Sequence, residues 1–350
     1  MSACAPSVPI SSVSTTDEVL RPGDLPLWEI PGWRERFGVE ASSVIDGNWV
    51  GKVVLGKYEI VDRIAEGNQS YVYWAKNLEG GSDAAVKIMK QDAKGDPLAR
   101  DRMNREGSVL EMLSGSPACP RLYGRYWTDD GLLVLVLELL DGMDLQAMLD
   151  RDSRVLDPSE IVGLFPPVIA TLSEAHRAGI IHRDIKPGNL FRTWDPPGLK
   201  LLDFGFARFT HLRSPGEAGR VSGSPKYIAP EAWLGKEDLD ARADVYSMAV
   251  VLFRCLAGRC PFEHESLVQM LKVVPTAPRP ALLSYRPDLP PALDDWATIA
   301  LAADRDERFD NIQAMWDAFV RAVRPVVDRS GIEWTNGEPP DVPSSSDRGA

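Results

Sequence analysis

From Tyr58 to about Leu140 the apolar positions come in short runs: Tyr58–Ile64, Tyr71–Asn77, Ala84–Met89 and Leu132–Leu139. They are rich in Val, Ile, Tyr and Leu and are separated by turns bearing Gly, Asn or Asp, which predicts strands. One helix interrupts them. Asp96 is placed as its N-cap and Pro97 as its first residue, and Met103, Leu110 and Leu113 recur at helical spacing. Beyond residue 144 the pattern turns helical. Asp157-Pro158-Ser159-Glu160 combines an N-cap, an N1 proline and a capping-box acid, predicting a helix that runs towards His176. Pro166 and Pro167 should kink it, since proline removes a donor and clashes with the preceding turn. Val245–Leu256 is apolar nearly all round and predicts a helix inside a core. The expected class is α+β: a small β-rich lobe with one helix, followed by a larger α-helical lobe.

The ends of the chain differ from this middle. Residues 1–24 are rich in Ser, Pro and Thr, and residues 336–350 in Pro, Ser and acidic residues. Such compositions bury too little apolar surface to offset chain entropy, so residues 1–24 and most of 323–350 are expected to be disordered. Residues 25–57 carry Leu25, Leu27, Trp28, Ile30, Trp33, Phe37 and Trp49, and are expected to pack on the small lobe.

Charge narrows the function classes. With 39 Lys+Arg against 51 Asp+Glu the net charge is −12, and the sequence pI is about 4.9. Nucleic acids and anionic membranes both reward clustered cations, so neither is an expected partner. Spanning a bilayer needs about 18 apolar residues in a row. The best runs, Leu132–Leu137 and Val245–Phe253, stop at Glu138 and Arg254, so no membrane span is expected, and the N-terminus lacks the basic start of a secretory signal. The four cysteines, Cys4, Cys119, Cys255 and Cys260, form no CxxC pair, which suits structural thiols in a reducing cytoplasm.

The densest polar cluster is His182-Arg183-Asp184-Ile185-Lys186-Pro187-Gly188-Asn189, followed by Asp203-Phe204-Gly205. Two carboxylates and an amide between apolar stretches offer hard oxygen ligands of the kind Mg²⁺ shares with substrate phosphates. A lysine two residues beyond an aspartate can neutralise charge on a phosphoryl group in transfer. None of the four histidines suggests a metal site: His182 belongs to this cluster, and His176, His211 and His264 read as structural or exposed.

With the segments around it, this cluster resembles the eukaryotic-type (Hanks-type) serine/threonine protein kinase domain, as found in soluble bacterial members, over roughly residues 58–322. The resemblance implies a two-lobed kinase fold, with residues 58–140 as the N-lobe and hinge and 141–322 as the C-lobe. It also implies residue roles. Lys87 in Ala85-Val86-Lys87 would pair the α- and β-phosphates of ATP, with Glu106 as its ion-pair partner and Glu111 left on a solvated helix face. Asp184 would be the catalytic base, Lys186 would stabilise the γ-phosphate, and Asn189 and Asp203 would hold Mg²⁺, with Mn²⁺ as an alternative metal. Leu133–Leu140 resembles the hinge strand, so Glu138 and Leu140 would present backbone groups to adenine, and Asp144 stands at the ribose-binding position. Ile64, Ala65, Gly67, Ser70, Val72, Ala85 and Phe191 would complete the nucleotide pocket.

Ala229-Pro230-Glu231, with Arg308 as the expected partner of Glu231, favours a protein substrate, and Lys186-Pro187 resembles the Ser/Thr class. Autophosphorylation is expected by the same resemblance. Between Asp203 and Glu231, Ser222 is the first candidate for a phosphate docking on Arg183, ahead of Thr210 and Ser214. No motif sets an oligomeric state, a target or an upstream signal.

Two features depart from the family. The phosphate loop reads Ala65-Glu66-Gly67-Asn68-Gln69-Ser70 in place of G-x-G-x-x-G, so two added side chains are expected to hinder backbone approach to the phosphates. Gly107, beside Glu106, should weaken its helix by about 1 kcal/mol relative to alanine. Together they support an alternative reading, a pseudokinase scaffold.

Overall fold

Alternation of buried and half-exposed side chains along residues 58–138 pairs the early runs into one antiparallel sheet. The computed structural model describes residues 49–151, 154–194, 197–209, 224–236, 238–264 and 266–328. In the first lobe, β1 (Val53–Val54), β2 (Tyr58–Glu66), β3 (Ser70–Asn77), β4 (Ala84–Met89), β5 (Leu122–Trp127) and β6 (Leu133–Glu138) lie in the order β1-β2-β3-β4-β6-β5. Short turns link β2, β3 and β4, which explains why neighbours in sequence are neighbours in the sheet. The continuous apolar run Leu133–Val136 is wholly buried, while β3 exposes alternate residues around buried Tyr73 and Ala75. Each aliphatic side chain so buried contributes about 1.5–3 kcal/mol. Trp49 and Val54 belong to the same core, and Tyr58 stacks on Tyr123 at 5.9 Å. The rest of the N-terminal extension, with Trp28 and Trp33, lies outside the described residues, as do residues 1–24 and 329–350.

The α-helix of this lobe among the described residues, α1 (Pro97–Met112), starts as its sequence predicts: the Asp96 carboxylate accepts from the Leu98 N–H at 2.9 Å. Gly107 has a different meaning from the expected one. A Cβ there would lie 2.9 Å from Arg125 Cδ and 3.1 Å from Leu135 Cδ2, so the glycine lets α1 approach the sheet. The Arg125 side chain cannot easily retreat, because it donates to Asn104 O and Ser108 Oγ and pairs with Glu111 at 3.0 Å. Gly107→Ala gains about 1 kcal/mol of helix propensity but overpacks a tight contact at about 1–3 kcal/mol. A net loss of about 1 kcal/mol is expected in chemical denaturation; stabilisation would show that the contact relaxes freely.

The second lobe is helical. It contains β7 (Gly142–Asp144), α2 (Leu145–Asp150), α3 (Pro158–Leu164), α4 (Pro166–Arg177), β8 (Ile180–Ile181), β9 (Leu190–Trp194), β10 (Pro197–Leu201) and β11 (Arg208–Phe209). After them come α5 (Pro230–Trp233), α6 (Arg242–Ala257), α7 (Leu267–Thr276), α8 (Ala292–Ala300) and α9 (Ile312–Val327). The predicted capping box is present at Asp157 and Glu160. The prolines do more than kink the helix: it ends at Phe165, and α4 begins anew with Pro166 as its first residue. The segment Val245–Leu256 lies within α6 and is buried apart from the half-buried Arg254. The packed region extends beyond the expected end at residue 322, since α9 continues through Pro325 with Val323 and Val327 buried. Among the described residues no helix is long and apolar enough to cross a membrane.

Small antiparallel ladders in this lobe position the polar cluster. β9 pairs with β7 and β10, and β8 pairs with β11. The turns leaving β8 and β10 therefore emerge side by side beneath the first lobe's sheet.

Candidate active site

Asp184, Lys186 and Asn189 sit on the turn between β8 and β9, and Asp203 follows β10. Asp184 is almost wholly buried, and three residues fix its carboxylate and main chain. Lys186 Nζ donates to Oδ2 at 2.6 Å, Asn189 Nδ2 donates to Oδ2 at 3.0 Å and to the Asp184 carbonyl at 2.8 Å, and the Ser224 N–H donates to Oδ1 at 3.1 Å. Both turns carry local strain: Arg183 has φ 68° after β8 and Asp203 φ 61° after β10, a region that side chains other than glycine's rarely occupy.

Asp244, at the start of α6, holds the turn after β8 in shape. It is fully buried and accepts from the His182 N–H at 2.8 Å, from the Arg183 N–H at 2.9 Å and from the His176 ring at 2.8 Å. Its carboxyl stays below the usual aspartate range: burial opposes the charge, but His176, His182 and the Arg183 N–H outweigh it. This anchoring was missed in the sequence, where the apolar run Val245–Leu256 was singled out. A lone acid heading such a run is the signal that could have found it.

In the first lobe, Lys87 on β4 donates to Glu106 at 2.6 and 2.7 Å and lies 3.8 Å from Asp203. Glu111 pairs with Arg125 instead, so the structure chooses between the two acids as expected. Although burial works against it, Glu106 and Asp203 raise the Lys87 pKa, which keeps the ammonium charged. Glu106 is pushed up by burial and by Asp203, against the pull of Lys87. Asp203 is held below its ordinary value; burial resists, while Lys87, the Gly205 N–H and Lys186 lower it. One cation thus stands between two acids, bonded to Glu106 and 3.8 Å from Asp203.

His182 is buried with its ring against Phe204, centroids 4.8 Å apart, and its Nε2 lies 3.2 Å from the Leu202 carbonyl. Burial holds this imidazole below its ordinary pKa, against the attraction of Asp244, Asp184 and Asp203. An unfolded histidine titrates near about 6.5, so as pH falls past that value the unfolded chain takes a proton that the folded one refuses. Stability therefore falls with pH: the thermal midpoint is expected to drop from about pH 7.5 to about pH 5.5. A midpoint that rises over that window would contradict a neutral buried His182.

A cavity of about 1240 Å³ lies between the lobes. Ile64, Ala65, Gly67, Ser70, Val72, Ala85, Lys87, Glu106, Glu138, Leu140, Asp184, Lys186, Asn189, Phe191 and Asp203 all line it. Asp144 alone of the expected pocket residues lies outside this lining; its Oδ1 accepts from the Ala147 N–H at 2.8 Å, capping α2. Asp141 lines the cavity in its vicinity. Sequence reasoning also missed Met103, Leu137 and Leu201, because apolar lining residues carry the same signal as core residues.

The altered phosphate loop is likewise revised. Ala65 pairs with Val72 inside the β2–β3 ladder, and Ser70 is a buried strand residue paired with Met89. The loop proper is Gly67-Asn68-Gln69, closed by a Gly67 N–H to Ser70 carbonyl bond of 2.8 Å. Thr210, Ser214 and Ser222 lie outside the described residues.

A salt-bridged lysine and glutamate above, a cavity, and a held aspartate with a lysine, an asparagine and a second aspartate below form one constellation. A family model described as "Protein kinase domain" matches residues 58–315. The chain belongs to the protein kinase family. It is 32% identical over 270 residues to the serine/threonine-protein kinase pkn3 of Myxococcus xanthus, covering 74% of this chain and 49% of that protein. To the serine/threonine-protein kinase PksC of Streptomyces coelicolor it is 31% identical, covering 79% of this chain and 50% of that one. The kinase thus spans about half the length of these curated relatives. Its fold matches the crystal structure of a point mutant of the Mycobacterium tuberculosis PknI kinase domain with a TM-score of 0.57 and 27% identity, covering 76% of this chain and 95% of that one.

The residues present fit a nucleotide with its magnesium. The Asn189 amide nitrogen is committed to Asp184, which leaves Oδ1 as an acceptor for a cation. Among the described residues no group of three or more His, Cys, Asp or Glu could hold a metal by itself. Asn189 and Asp203 would therefore supply only part of a shell, the remainder coming from phosphate oxygens and water, as Mg²⁺ prefers.

Proposed function

We propose that this kinase transfers the γ-phosphoryl group of ATP to serine or threonine hydroxyls of proteins, itself included, with Mg²⁺. The observation that carries the reading is Lys87, bonded to Glu106 at 2.6 Å while 3.8 Å from Asp203. That joins the small-lobe helix to the metal-binding acid across the cavity. Asn189 and Asp203 would hold the magnesium, whose charge draws electron density from the phosphate oxygens. Lys87 would orient the α- and β-phosphates. Asp184, fixed by Lys186, Asn189 and the Ser224 N–H, would receive the acceptor hydroxyl's proton as its oxygen bonds to phosphorus and ADP departs. Lys186 would offset the charge spread over the moving group.

The Ser/Thr class is supported by Lys186-Pro187 and by the names of the relatives. The scaffold alternative is weakened in one of its two supports, because the close contact of Gly107 with Arg125 and Leu135 gives the glycine a packing role. The test is incubation with ATP and Mg²⁺ alone and with a generic basic protein, followed by phosphopeptide mass spectrometry. Phosphoserine or phosphothreonine on either is the expected result. Tight ADP binding without any transfer would overturn the reading in favour of a scaffold.

A further inference from the structure

The phosphate loop is bound to the sheet by a set of side chains that the chemistry above does not use. Lys90 follows β4 and reaches the loop twice. Its N–H donates to the Gln69 carbonyl at 2.9 Å, and its Nζ donates to Glu66 Oε1 at 2.6 Å. Glu66 is the last residue of β2 and pairs in the ladder with Tyr71, the second residue of β3. The other Glu66 oxygen lies 3.4 Å from Arg63 Nη1. The Tyr71 ring takes both cations, with Lys90 Nζ 4.6 Å and the Arg63 guanidinium 5.1 Å from its centroid. The group therefore links β2, β3 and β4 around residues 67–69. The Lys90 side chain is 13% exposed and that of Glu66 48%, so the lysine packs along the sheet while the ion pair itself stays open to water.

We propose that Lys90 is a positioning residue, clipping Glu66 across Tyr71 so that the phosphate loop is already set for ATP before ATP binds. The proposal rests on the nucleotide reading of the cavity. Ladder pairing at Ala65 and Ser70 fixes both ends of the loop, and the clip restrains the residues between them. A loop ordered in advance loses less entropy on binding, and that saving appears as affinity. One exposed ion pair is weak alone. Here the ion pair, the ring contacts and the main-chain bond share the same residues, so removing one should loosen the others.

The test compares Lys90→Met, Glu66→Gln, the double variant and Lys90→Arg in the full chain. ADP affinity is read by calorimetry, ATP steady-state kinetics by phosphoryl transfer, and loop opening by hydrogen exchange of amides 66–70. Lys90→Met and Glu66→Gln should each weaken ADP binding and raise the ATP KM about three- to tenfold, with kcat within about twofold. The double variant should lose no more than either single one, and hydrogen exchange of the loop should accelerate. Lys90→Arg keeps a cation for both Glu66 and Tyr71 and should restore affinity. Unchanged ADP affinity, additive losses, an equal loss in Lys90→Arg, or a lower kcat at unchanged KM would each overturn the proposal. Failure of the parent to bind ADP would overturn it too. A parent that binds ADP but transfers nothing would refute the transfer reading while binding and exchange still judge the clip.

Discussion

Lys87→Met, Asp184→Asn and Asp203→Asn are each expected to cut phosphoryl transfer by about 10²–10⁴-fold while leaving a folded protein. The three act at different points. Lys87→Met removes the cation between Glu106 and Asp203; under the proposed mechanism, Asp203→Asn would remove a charge on the magnesium and Asp184→Asn the acceptor for the hydroxyl proton. Each substitute nearly preserves shape, so packing is little disturbed. Lys87→Met leaves Glu106 buried without its cation, yet burial already pushes that carboxyl upward, and taking a proton relieves the charge. Thermal midpoints within a few degrees of the parent, measured beside transfer rates, separate lost chemistry from lost folding. Retention of most activity in any one variant would remove that residue from the machinery.

Arg308→Ala is expected to have the largest effect on stability, a loss of about 3–5 kcal/mol. Arg308 and Glu231 are both buried, and their bidentate pair measures 2.8 and 2.6 Å. The same guanidinium donates to the carbonyls of Ala302 and Arg242 at 2.8 and 3.0 Å and lies over the Tyr246 ring at 5.0 Å. Its removal strands a buried carboxylate together with the carbonyls it had satisfied. A domain has about 5–15 kcal/mol of net stability, so the loss is a large part of the whole. Glu231→Gln, which keeps a neutral acceptor for the arginine, should cost less. Urea denaturation of both variants checks the order; an Arg308→Ala protein as stable as its parent would show that the pair contributes only specificity.

Local signals in the chain were strong where a residue's own chemistry limits its neighbours. The caps at Asp96 and Asp157 were legible because a side-chain oxygen and the first orphan N–H groups are only residues apart. Pairing of Lys87 with Glu106 was legible by resemblance, since motif order identifies the helix but no periodicity singles out one acid. The capping role of Asp144 was not legible for the same reason. A carboxylate at a helix start can cap the helix or face a ligand, and the choice depends on where the neighbouring strand turns.

By itself the sequence determined four of the six strands of the first lobe, the buried α6, the helix starts at Asp96 and Asp157 and the family, because these depend on apolar spacing, capping and short motifs; β1, β5 and the fresh start of α4 at Pro166 left no such mark. Tertiary structure alone decided the meaning of Gly107, which reads as a weak point in isolation and as a close approach once Arg125 and Leu135 stand against it. It also decided that Asp244 anchors the turn carrying Asp184, and that Lys90, Glu66, Arg63 and Tyr71 meet around the phosphate loop. The reason is range. Capping and periodicity act over a few residues and leave a mark in order and spacing, whereas His182 and Asp244, or Glu66 and Lys90, meet only after separate strands and helices have packed.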